Sequence, residues 1–79
     1  MKKTDFVNEL ADYCEFEKEG LLVNTPLKDV EGYDSLAVMS MIAFIDEKFG
    51  LKFTAVQFED ISDCNSIIKL IGEDRFEND

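Results

Sequence analysis

Seventy-nine residues make at most one domain, with no room for two lobes and a cleft between them, and the 25 Leu, Ile, Val and Phe residues lift the chain well above the roughly 20% below which charged sequences stay disordered. Eighteen acidic against eight basic residues leave a net charge of −10, a field that repels phosphate backbones and anionic lipid heads, so no nucleic acid and no membrane insertion are expected; a basic protein surface suits it as partner, with simple solubility the alternative that composition leaves open. Histidine is absent, which removes the side chain that most readily moves protons near neutral pH and argues against a self-contained acid–base enzyme.

Lys2 and Lys3 open the chain, but Asp5, Asn8, Glu9 and Asp12 interrupt any apolar run, so neither a signal peptide nor a transmembrane span is expected. Phe6, Val7, Leu10, Ala11 and Cys14 fall at helical intervals on one face, with Asn8, Glu9, Asp12 and Glu15 on the other. With Thr4 or Asp5 as cap, this predicts a first helix over about residues 5–16. Gly20, Pro26 and Gly32 then break the periodicity. Leu21, Leu22, Leu27 and Val30 are unfavourable to leave in water, so a long loop pinned by apolar anchors is expected.

Asp34 offers an N-cap carboxylate, nothing interrupts a second helix from Ser35 to Phe49, and Gly50 suits the left-handed position that ends it. Leu51 and Phe53 give a short extended approach. Thr54 can cap a brief helix carrying Val56, Phe58 and Ile61, and Asp63 a last helix carrying Ile67, Ile68, Leu70 and Ile71. The charged tail from Glu73 to Asp79 is expected to fray. Apolar residues recur at intervals of three and four rather than two. The expected fold is therefore all-α, a four-helix bundle of three main helices and one short helix with a long loop between helices one and two, all of residues 1–79 forming a single domain. Cys14 and Cys64 form no CxxC and have no histidine nearby, so they are expected to be small core residues of a reduced, cytoplasmic protein.

The second helix is apolar around most of its circumference, which fits two faces, Met41, Ile42, Ile45 and Phe49 for the core and Leu36, Met39 and Ala43 for a partner or a bound apolar group; a central helix with all of these in the core is the alternative the pattern leaves open. Ser35 sits in its first turn, where unpaired backbone N–H groups and the positive end of the helix dipole favour a phosphate. It is not placed as a hydrolase nucleophile, because the chain has no histidine to activate it and no G-x-S-x-G elbow. Gly32 and Tyr33 leave the backbone accessible. Asp34 could help hold Mg²⁺ or a basic residue of a modifying enzyme; ordinary capping is the alternative that the local sequence favours.

Residues 31–50, EGYDSLAVMSMIAFIDEKFG, resemble the acyl carrier protein family, whose signature is an Asp-Ser-Leu triplet at the start of the second helix and an apolar helix closing in an acidic patch and Phe-Gly. Asp34, Ser35 and Leu36 match the triplet, and Asp46, Glu47, Phe49 and Gly50 match the close. Thr25-Pro26-Leu27 resembles the loop anchor, and Asp63 to Ile71 the capped last helix. The resemblance implies a monomeric carrier rather than a catalyst. A phosphopantetheinyl transferase using coenzyme A and Mg²⁺ would attach 4′-phosphopantetheine to Ser35, flanked by Asp34 and Leu36, and acyl groups would ride on the arm as thioesters. Leu36, Met39, Ala43, Asp46 and Glu47 would dock acyl-loading and acyl-transfer enzymes that carry basic patches.

Fatty-acid-synthesis carriers typically place acidic residues where this chain has Ala37 and Ser40, which points to a dedicated lipid, polyketide or other specialised acyl-transfer pathway. The approach Glu31-Gly32-Tyr33-Asp34 differs from the Gly-Gly-x-Ser-Leu of peptidyl carriers. A calcium-binding loop starting at Asp29 is disfavoured, since Gly32 comes two positions early and Ser40 occupies the place of the closing glutamate. The remaining alternative is an acidic helical adaptor without a covalent cofactor.

Overall fold

Residues 1–77 are described in the computed structural model, where three runs of helical periodicity become α1 (Lys3–Cys14), α2 (Ser35–Phe49) and α3 (Cys64–Ile71). Single 3₁₀ turns occupy Leu27–Asp29 and Glu73–Arg75. No strand forms among the described residues; Lys2 and Glu77 make one isolated parallel bridge.

The first helix starts and stops two residues before its expected limits. Thr4 and Asp5 lie inside its first turn rather than capping it, Asp5 facing the positive end of the dipole, and the position before Lys3 has no side-chain cap. At the other end Glu15 adopts the left-handed conformation at φ 60°, and the Phe16 N–H reaches back to the Ala11 carbonyl at 2.8 Å. This Schellman-type closure turns Phe16 into the core, which continued helix could not do.

The second helix has the expected ends. The Asp34 carboxylate accepts from the Ala37 N–H at 2.8 Å, and Gly50, at φ 70°, donates to the Asp46 carbonyl at 2.9 Å. Met41 and Ile45 are fully buried as expected, but Ile42 and Phe49 are half-buried, and Ala37 and Phe44 take the deeper positions. Rings join α2 to α1: Phe6 lies 5.9 Å from Phe44 and 6.2 Å from Phe49, and Tyr13 lies 5.5 Å from Phe44.

The long loop is pinned by buried Leu27 and half-buried Leu21, Val23 and Val30, while Leu22, expected to be an anchor, is exposed. Two backbone hydrogen bonds fasten it beside α3, from the Leu27 N–H to the Ser62 carbonyl at 2.8 Å and from the Asn65 N–H to the Val23 carbonyl at 2.9 Å. Where the sequence suggests a short fourth helix, Gln57, Phe58 and Glu59 donate to carbonyls three residues back, giving consecutive turns in place of regular α-helix. Only Phe58 of that segment is buried, and Val56 is exposed. The third helix opens with a reciprocal box: the Ser66 N–H bonds the Asp63 carboxylate at 2.8 Å while the Asp63 N–H bonds the Ser66 hydroxyl at 3.1 Å. Ile67, Ile68 and Ile71 enter the core, and Leu70 faces outward.

The tail expected to fray is docked as far as it is described. Phe76 stands edge-on to Phe6 at 5.3 Å and lies 5.6 Å from Phe49, and the Glu77 N–H bonds the Met1 carbonyl at 2.8 Å. Residues 78 and 79 of that tail lie outside the described residues.

Candidate functional site

The approach to α2 is fixed by a turn in which the Tyr33 N–H bonds the Val30 carbonyl at 3.1 Å and the Tyr33 ring packs 6.3 Å from Phe16. Burial pushes the Tyr33 hydroxyl above its usual range, so it stays protonated. Asp34 is extended, at φ −147°, and its carboxylate turns back over the first turn to hold the Ala37 N–H. Capping is thus what Asp34 does within the chain. Its carbonyl takes the Val38 N–H at 3.0 Å, so the Ser35 and Leu36 N–H groups remain without a partner among the described residues, at the positive end of the helix.

Ser35 is exposed at the first position of α2, and its hydroxyl makes no hydrogen bond among the described residues. With no histidine in the chain to activate it and the Asp34 carboxylate held by the Ala37 N–H, this hydroxyl is suited to being acted upon, not to attacking a substrate of its own. An exposed, unbonded hydroxyl next to two spare N–H donors fits a phosphodiester: the ester oxygen is accessible and the anion lies at a favourable helix end. Among the described residues no group of three or more His, Cys, Asp or Glu side chains could hold a metal ion.

From Ser35 one face of α2 runs outward. Leu36 is 73% exposed and Met39 56%, with Ala43 and Glu47 exposed further along the same side. Asp46 borders this face half-buried, 3.1 Å from the Lys52 ammonium. Ser40 is half-buried, and Ala37, one turn below, is in the core with its carbonyl 4.0 Å from the Cys14 sulfur. Cys14 is half-buried where a core position was expected, and Cys64 is fully buried. Burial pushes the Cys14 thiol up to about 11, and burial followed by the charges of Asp63 and Cys14 pushes Cys64 up to about 12. Sequence reasoning assigned no role to Tyr13, which the fold sets against Phe44 and whose hydroxyl is pushed above its usual range by burial and then by the nearby Glu47 charge. Its signal was its spacing, three residues beyond core Leu10, at the border of the apolar face.

A family model described as phosphopantetheine attachment site matches residues 5–71. The chain belongs to the phosphopantetheine attachment site family. Comparison with curated proteins and with solved structures returned no match. Domains of this family attach 4′-phosphopantetheine covalently, are not themselves catalysts, and meet phosphopantetheinyl transferases and acyl-handling enzymes. This agrees with the resemblance to acyl carrier proteins carried by residues 31–50. No helix among the described residues is long and apolar enough to cross a membrane.

Proposed function

We propose that this protein is an acyl carrier whose 4′-phosphopantetheine arm is attached to Ser35, serving a dedicated lipid, polyketide or other specialised acyl-transfer pathway. The observation that carries the proposal is the exposed, unbonded Ser35 hydroxyl at the first position of α2. In the modification step the Ser35 oxygen forms a bond to the phosphorus nearest the pantetheine of coenzyme A, the pyrophosphate P–O bond breaks, and adenosine 3′,5′-bisphosphate leaves. The hydroxyl proton passes to a base supplied by the transferase, since the chain has no histidine and the Asp34 carboxylate is engaged with the Ala37 N–H. Asp34 holds the first turn in place through Ala37, and the N-terminus of α2 favours the resulting diester anion by roughly 0.3–1 kcal/mol. Once attached, the arm supplies a thiol that carries acyl groups as thioesters.

Leu36, Met39 and Ala43 give partners an apolar contact, and Asp46 and Glu47 give a charged border that steers basic patches. Ala37 and Ser40 stand where fatty-acid-synthesis carriers typically have acidic residues, and no charged side chain occurs between Ser35 and Ile45, so the first turns of α2 offer partners little charge, which favours a dedicated pathway. The turns of residues 54–60 stand where a short fourth helix completes the bundle in this reading. A cytoplasmic monomer with both thiols reduced fits the two free cysteines.

The experiment is intact-mass measurement after incubation with coenzyme A, Mg²⁺ and a broad-specificity phosphopantetheinyl transferase. The protein should gain the mass of one phosphopantetheinyl group, and Ser35→Ala should gain none while keeping its melting temperature. Labelling of Ser35→Ala would move the site elsewhere, and no labelling of the native chain would favour an unmodified acidic adaptor.

A further inference from the structure

On the side of α2 facing α1, the two helices leave an open groove of about 550 Å³ lined by Glu9, Asp12, Tyr13, Phe44, Glu47 and Lys48. Its floor is aromatic. Phe44 is buried, and Tyr13 leans on it at 53° with 43% of its own surface still in water. Its walls carry three carboxylates against one ammonium. Lys48 is spent on Glu9 at 2.7 Å, and Asp12 is held from the side by Lys18 at 2.6 Å. Glu47 pairs with no Lys or Arg among the described residues and stands with Tyr13 in the lining of the groove.

Glu47 is also the far end of the exposed face that begins at Leu36, so groove and face are continuous. A flat ring bordered by carboxylates matches a guanidinium better than an ammonium, because a guanidinium is planar and weakly hydrated, stacks on an aromatic face and bonds carboxylates through its edge. The groove lies roughly 18 Å along α2 from Ser35, taken as twelve residues at the helical rise. A standard interface of about 800 Å² per partner spans that distance.

We propose that the docking surface wraps from α2 onto α1 through this groove, which receives an arginine side chain of the enzyme that phosphopantetheinylates the chain. The guanidinium stacks on Tyr13 and pairs with Glu47 and Asp12. The proposal rests on the reading of Ser35 as the modified residue and adds α1 to the surface that its transferase recognises.

The test uses apo protein, coenzyme A and a phosphopantetheinyl transferase, with KM and kcat measured for the native chain and for Tyr13→Leu, Tyr13→Phe, Glu47→Gln and Lys48→Gln, alongside thermal melts. Tyr13→Leu and Glu47→Gln should each raise KM on the order of two- to five-fold, the size of one exposed cation–π or ion-pair contact, with kcat unchanged. Tyr13→Phe keeps the ring and should bind like the native chain. Lys48→Gln frees Glu9 and should lower KM. These differences should collapse at high salt. An unchanged KM in Tyr13→Leu, or Tyr13→Phe as weak as Tyr13→Leu, would overturn the groove while leaving modification of Ser35 standing. A native chain that no transferase modifies would remove the reading of Ser35 and the groove with it.

Discussion

In the proposed role, a carrier whose cargo hangs on a thioester must keep its own thiols from competing with the arm. Cys14 and Cys64 are the two nucleophilic side chains on hand, and the fold disarms both. The Cys14 sulfur sits between α1 and α2 against the Ala37 carbonyl, and Cys64 is sealed at the start of α3. With thiols pushed up to about 11 and about 12, the thiolate that would attack an ester or a disulfide is scarce at neutral pH. Apo protein should therefore give no fast-reacting thiol with Ellman's reagent at pH 7.5, and phosphopantetheinylated protein should give one. A rapid thiol in the apo form would contradict the burial. The same shifts fix a pH dependence. Because the folded state raises both thiol pKa values, the stability they contribute is complete below the ordinary thiol value near 8.5 and is lost as pH climbs toward 11 and 12. Denaturant midpoints should accordingly fall above about pH 9, and Cys64→Ala should flatten part of that decline.

Element by element, α2 in its proposed role separates stability from docking along its two sides. Ile45→Ala empties a fully buried site and should cost roughly 2–5 kcal/mol, a large share of what so small a domain has. Leu36→Ala removes a side chain that is mostly in water; it should leave the melting temperature nearly unchanged while slowing modification or partner turnover. Reversed effects in thermal melts and transferase assays would mean the faces are misassigned. The tail offers a second measure. Phe76 closes the end of the ring row that runs through Phe49, Phe6 and Phe44 to Tyr13, and Phe76→Ala should cost about 3 kcal/mol, which chemical denaturation would reveal. What was legible in the sequence follows the range of the chemistry involved. Both ends of α2 were legible because Asp34 and Gly50 encode them locally, and so was the Asp63 cap that opens α3; the return bond from Ser66 was not read. The end of α1 was hidden because Glu15, not a glycine, takes the left-handed turn, and the docking of Phe76 because one aromatic in an acidic tail has no period to betray it. At the site, the Asp-Ser-Leu triplet could be read within three residues. Tyr13 could not, since its meeting with Glu47 depends on α1 and α2 lying side by side.

At the scale of the whole molecule, a net charge of −10 sits on a body of 29 × 27 × 20 Å. Salt acts on it in two opposing ways. It weakens ion pairs such as Lys48 with Glu9 and Lys18 with Asp12, which lowers stability, and it screens the repulsion among carboxylates, which raises it. The first effect is small, because these pairs are partly exposed and such pairs contribute about 0–1 kcal/mol each. The second is collective. At 0.01 M salt the screening length is about 30 Å, so each carboxylate feels all the others across the molecule; at 0.15 M it is about 8 Å and only neighbours count. Repulsion should therefore dominate, and the melting temperature should rise between those salt concentrations and level off above them. Docking as proposed should follow the opposite sign, because attraction between an acidic surface and a basic enzyme patch is screened by the same ions. Over the same range the transferase KM for the apo protein should rise while kcat stays constant. Circular dichroism melts and initial-rate assays in one sodium chloride series test both slopes together. A melting temperature that fell with salt would show that the ion pairs outweigh the repulsion, and a KM indifferent to salt would show that the acidic surface does not steer the encounter.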